Sequence, residues 1–145
     1  MDNILKIDIF KEVVIPIMSN YLKNFDFIFI ECIDENIIEE KGVTISYKNE
    51  CRGISIYYCP HNDNEQFEFT LVHINKLPNS TALISKLLQK KGINYERNFY
   101  KEEIDFRDMV VAYCEYLIFL FEKYLKTIIS GEEWIDFPVD WYGYK

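Results

Sequence analysis

The sequence predicts an α+β fold: an N-terminal helix, then an antiparallel β-meander of three or more strands, then C-terminal helices packed on one sheet face. Three observations carry that reading. Apolar residues recur at helical spacing over 8–22, alternate with polar ones in three runs over 43–74, and nearly encircle a stretch over 105–129. With 145 residues, 49% of them hydrophobic and 17% aromatic, the chain has the size of one domain and can bury a single core. One domain over 1–145 is expected, since no repeat or linker divides the chain.

In the first helix Ile9, Val13, Ile17, Tyr21 and Leu22 form the apolar stripe. Pro16 should bend or divide it, because proline lacks the N–H of the helical bond. Residues 25–33 alternate loosely and read as strand or mixed structure. The runs 43–48 and 53–58 alternate cleanly around the break Asn49-Glu50-Cys51-Arg52-Gly53, a hairpin pattern. After the turn-rich Pro60-His61-Asn62-Asp63-Asn64, a third strand over 66–74 places Phe67, Phe69 and Leu71 on one apolar face. Pro78-Asn79-Ser80 caps a short helix over 81–91, with Leu83, Leu87 and Leu88 as its stripe, Lys90 and Lys91 at its cation-favouring end, and Gly92 as its stop. The longest helix, 105–129, opens on Asp105 and Asp108 and closes on Ser130-Gly131. Its Met109, Val110, Tyr113, Leu117, Leu120, Phe121, Tyr124 and Ile128 are expected to pack on the meander, which leaves Tyr116, Ile118 and Phe119 needing cover from elsewhere.

Twenty-four acids against sixteen Lys and Arg give a formal net charge of -8, a field that repels phosphate backbones and anionic lipid headgroups. Neither nucleic acid nor membrane is expected as a partner, and a basic protein is favoured. The longest apolar stretch, 109–121, contains Glu115 and is shorter than the ~20 residues that span a bilayer. The start of the chain lacks the basic-then-apolar pattern of a signal peptide, so a cytoplasmic location is expected. Cys32, Cys51, Cys59 and Cys114 show no CxxC pairing and are expected as free buried thiols. The heavy use of Ile, Asn, Lys, Tyr and Phe fits AT-rich codons.

Several constellations could carry chemistry. Cys51, Cys59, His61 and His73 are zinc-ligand types, but their spacing misses the C-x₂₋₄-C and H-x₃₋₅-H pairs of structural sites. A nucleophile–base pair could use only His61 or His73, and Cys59 beside His61 shares one segment where catalytic pairs usually come from separate elements. The acid pairs Glu39-Glu40, Glu102-Glu103 and Glu132-Glu133 read as solvated loops or helix starts. Lys86, Lys90, Lys91, Tyr95 and Arg97 make the best nucleic-acid patch and are better explained by the helix dipole and solubility. No catalytic residue, cofactor or metal is expected.

The tail joins both tryptophans of the chain, Trp134 and Trp141, to Glu132, Glu133, Asp136 and Asp140. Such aromatics are prime contact residues at interfaces. The alternative is a tail that wraps the long helix and buries Trp134, Phe137 and Trp141, since large exposed apolar patches are rare on monomers. The two readings coexist if the aromatics face inward and the acids outward.

In size, acidity, α+β layout and AT-rich composition, the whole chain resembles the immunity proteins of bacterial polymorphic-toxin and contact-dependent growth inhibition systems, without a shared motif. The resemblance implies a cytoplasmic protein, not an enzyme, that binds and neutralises a cognate basic toxin domain, often a nuclease, by covering its active site or a surface beside it. On that reading Glu39, Glu40, Asp63, Glu65, Glu132, Glu133, Asp136 and Asp140 offer the acidic surface, with Tyr142 and Tyr144 as anchors. The alternatives are a self-associating structural or interaction module, such as a homodimer, and a small enzyme using His61 with a carboxylate in a meander cleft.

Overall fold

An N-terminal helix, a five-stranded antiparallel sheet and C-terminal helices on one face make up the fold, the α+β class that the periodicities predict. The computed structural model describes residues 2–37, 40–60, 71–77, 80–96 and 104–135. Helix α1 (Asn3–Leu22) starts at Asp2, whose carboxylate accepts from the Ile4 N–H at 2.7 Å, five residues earlier than the apolar stripe alone suggests. It runs unbroken through Pro16, which lies on the exposed face, where water can reach the Glu12 carbonyl that proline leaves without a helical donor.

A 3₁₀ turn (Lys23–Phe25) leads into strand β1 (Ile28–Ile37), followed by β2 (Glu40–Lys48), β3 (Arg52–Tyr58), β4 (Leu71–Lys76) and β5 (Ser80–Leu83). Each strand pairs with its sequence neighbour, so the order is β1-β2-β3-β4-β5 and β1 is an edge. The β2–β3 hairpin pairs Val43 with Tyr58 and Lys48 with Gly53. Its turn is closed by Asn49, whose side-chain oxygen accepts from the N–H groups of Cys51 and Arg52 at 2.9 and 2.7 Å. The Asn49 amide also donates to the Phe25 carbonyl at 2.8 Å, tying the hairpin to the entry of β1.

Val43, Ile45 and Tyr47 of β2, Ile54, Ile56 and Tyr58 of β3, and Val72 and Ile74 of β4 form the core face. Phe10, Val14 and Met18 of α1 and Val110, Tyr113, Cys114 and Leu117 of the later helix α3 (Phe106–Leu120) cover it. Phe10 stacks on Tyr58 with ring centroids 4.7 Å apart. Each large apolar side chain in this layer contributes roughly 1.5–3 kcal/mol of burial. The opposite face carries Thr44, Ser46, Ser55, Tyr57, His73, Asn75 and Thr81, which is why the meander alternates.

Three expectations need correction. In β4 the core positions are Val72 and Ile74, the opposite parity from Phe67, Phe69 and Leu71; residues 61–70 lie outside the described set. Residues 80–83 do not start a helix but pair with β4, Ala82 opposite Ile74, so ladder bonds outweigh the local capping signal. Helix α2 is therefore only Ile84–Lys90, closed as expected by Gly92 at φ 77°.

The long helix begins at Asp105, which caps the Arg107 N–H, but it is not uniform. A π turn (Phe121–Leu125) separates α3 from the last turn, α4 (Lys126–Ile129). The wider turn advances the buried stripe, so Leu125 and Ile129 are fully covered while Tyr124, assigned to the core by α-helical spacing, is half-buried. Tyr116 is covered from outside the sheet by Tyr95, ring centroids 5.9 Å apart, and its hydroxyl accepts from the Glu96 N–H at 2.8 Å.

Candidate functional site

The predicted acidic surface is not assembled as one patch by the described residues. Glu39, Asp63, Glu65, Asp136, Asp140, Tyr142 and Tyr144 lie outside them, and Glu40 is placed only by its backbone at the start of β2. Glu132 and Glu133 are exposed but act locally as the stop of α4: their N–H groups donate to the Thr127 carbonyl at 3.0 and 3.1 Å, and their carboxylates accept from Ser130 and Thr127. Beside them Arg52, the buried charged residue of the core, donates to the carbonyls of Ile128 and Glu133, both at 2.6 Å, and to that of Cys51 at 3.0 Å. Its guanidinium lies 4.9 Å from the centre of the Trp134 ring. Burial lowers the Arg52 pKa without discharging it, and the carbonyl end of a helix suits a cation. Trp134 and Ile135 pack on the core, so the described part of the tail is core cover.

The described members of the catalytic alternatives lie apart. Cys51 and Cys59 flank opposite ends of β3, roughly 25 Å apart at about 3.3 Å per residue, too far to share a metal. His61 lies outside the described residues. His73 sits mid-strand opposite Ser55 and Leu83, and burial pushes its pKa down to about 3, which keeps the ring neutral. Among the described residues no group of three His, Cys, Asp or Glu could hold a metal ion. Of the cysteines only Cys114 is buried, while Cys51 is exposed and Cys32 and Cys59 are half-buried, so the expectation of buried thiols holds for one of them. In the basic patch Tyr95 turns inward, its hydroxyl 2.9 Å from that of Tyr113, and Arg97 lies outside the described residues. A shallow pocket of about 230 Å³ beside it, lined by Ser85, Lys86, Gln89, Ile93, Asn94 and Tyr95, offers one amine and no acid to pair with it.

The surface that does combine charge with exposed apolar area is β1, which the sequence left ambiguous. Asp26, in the left-handed region at φ 67°, turns the chain out of the 3₁₀ segment, and Phe27 anchors it in the core. The strand then shows Ile28 at 62% exposure, Phe29 at 43%, Ile30 at 44% and Ile33 at 45%, interleaved with exposed Glu31 and Asp34. Ile30 is a bulge: Phe29 pairs with Tyr47 and Glu31 with Ser46, so Ile30 has no opposite number on β2. Lys11 of α1 reaches Asp34 at 3.0 Å, and that bond raises the lysine pKa and keeps it charged. Only the register could reveal this site, because the loose alternation of 25–33 is what a bulged strand produces.

Phe119 shows how exposure alone misleads. It is half exposed, yet Lys123 lies 5.4 Å from its ring centre and Tyr124 packs edge-on at 6.2 Å, so part of its face is engaged. Among the described helices none is long and apolar enough to cross a membrane. Comparison with known proteins finds no matching family model, curated protein or solved structure.

Proposed function

We propose that the protein is a non-catalytic binding module of the immunity type, a cytoplasmic chain that covers and neutralises a basic toxin domain, such as a nuclease. One observation carries this reading: every Asp and Glu side chain described is exposed, whereas the buried charged side chain is the cation Arg52. The chain as a whole carries a net charge of -8. Ion pairs engage Asp8, Asp34, Glu12 and Glu122, and Asp26, Glu31, Glu50 and Glu115 form none within the described structure. Such a field accelerates encounter with a basic surface and disfavours acidic ones.

The test is co-purification with the protein encoded by the adjacent upstream gene, followed by affinity measurement across a salt series. A stable complex is expected, with affinity falling at least about tenfold from low to high salt. No complex, or a salt-independent one, overturns the reading.

A further inference from the structure

We propose that the outer edge of β1, which no other described strand covers, docks an extended, lysine- or arginine-bearing strand of the partner protein, extending the sheet by one strand. This inference rests on the basic-partner reading above and adds the surface and the mode.

The two edges of the sheet differ. At the far edge β5 has four residues and passes directly into α2. At the near edge β1 has ten, paired among the described strands with β2 alone. Alternate main-chain N–H and C=O groups of an edge strand point away from the sheet and suit strand addition. The side chains that would flank an added strand are mixed on both faces. The register with β2 puts Ile28, Glu31 and Ile33 on the open face and Phe29, Cys32 and Asp34 on the helix face. An incoming strand meets an aliphatic and an acidic contact on the open face, and on the other an aromatic contact beside Asp34, which Lys11 already holds.

Charge selects the occupant. A second copy would bring the same Asp26 and Glu31 against themselves, between two chains each carrying -8, while Asp34 is held by Lys11. Like charges brought together at an edge are the kind of feature that discourages its self-pairing. A strand alternating Lys or Arg with apolar residues pairs with Glu31 and covers Ile28 and Ile33 together. The acids that oppose self-association therefore choose a basic partner.

The probe is a synthetic extended peptide alternating lysine with valine, titrated to millimolar concentration into the whole protein while backbone amides are followed by NMR. Salt-sensitive binding is expected, with the largest responses in Ile28–Ile37. Binding should weaken at least about tenfold after Glu31→Lys, and likewise after N-methylation of alternate peptide amides, while Glu115→Lys leaves it unchanged. No binding, binding indifferent to methylation, or responses centred elsewhere overturns edge docking. A concentration-dependent dimer abolished by Glu31→Lys assigns the edge to a second copy and also overturns it. If the upstream-encoded protein binds Glu31→Lys and wild type equally, edge docking falls and the basic-partner reading stands. If that protein does not bind wild type at all, the basic-partner reading itself fails.

Discussion

The β1 edge and the α4 terminus both place acids beside aromatic or aliphatic side chains, yet they differ in what their main chains do. At the α4 terminus the carbonyls of Thr127, Ile128 and Glu133 are taken by Glu132, Glu133 and Arg52, and Trp134 lies over the guanidinium. At β1 the outer main-chain groups face away from β2, and Ile28 and Ile33 stand in the open. Composition marks the tail as the more interface-like of the two. The hydrogen bonding reverses that ranking for the described residues, because a segment whose polar groups are engaged internally has little left to offer a partner.

The comparison breaks most visibly at Arg52. Arg52→Met removes three charge-assisted bonds to carbonyls and should lower unfolding stability by about 2–4 kcal/mol, read by urea denaturation. A loss under about 0.5 kcal/mol would show that the terminus is not pinned there.

His73 gives a smaller, pH-dependent effect on the polar face of the sheet. Burial favours the neutral ring, so between the ordinary value of 6.5 and about 3 the unfolded chain binds more protons than the folded one. Stability is full above pH 6.5 and declines as pH falls through that window. Discounted for the partial exposure of the ring, the decline is on the order of 1 kcal/mol, and His73→Gln should flatten it in denaturation curves run at successive pH values.

The smallest effect belongs to β1. Ile33→Thr exchanges one β-branched residue for another at an exposed position and should change stability by less than about 0.5 kcal/mol by the same denaturation assay. A larger loss would mean that Ile33 supports the fold and is not held open for a partner.

Much of the fold was legible because its signals are local. The alternation in 43–48 and 53–58 and the break at Asn49 specify the hairpin, and Gly92 and Gly131 mark helix ends by taking φ values of 77° and 91°. The candidate site was far less legible. Glu132 and Glu133 look like surface acids in a list of residues, and their capping role depends on where Thr127 and Ser130 turn.

The sequence by itself determined the net acidic charge and, because periods of 2 and 3.6 residues and capping residues act over a few neighbours, the α+β class, the hairpin and the ends of the longest helical segment. Tertiary structure alone decided that residues 80–83 pair as a strand, that a π turn adds Leu125 and Ile129 to the buried positions beside Ile128, that Arg52 is enclosed, and that β1 lies at the edge of the described sheet. Those outcomes depend on contacts between residues far apart in the chain, such as Arg52 with Ile128 and Glu133, and no local pattern records which of the described strands comes at the end of the sheet order.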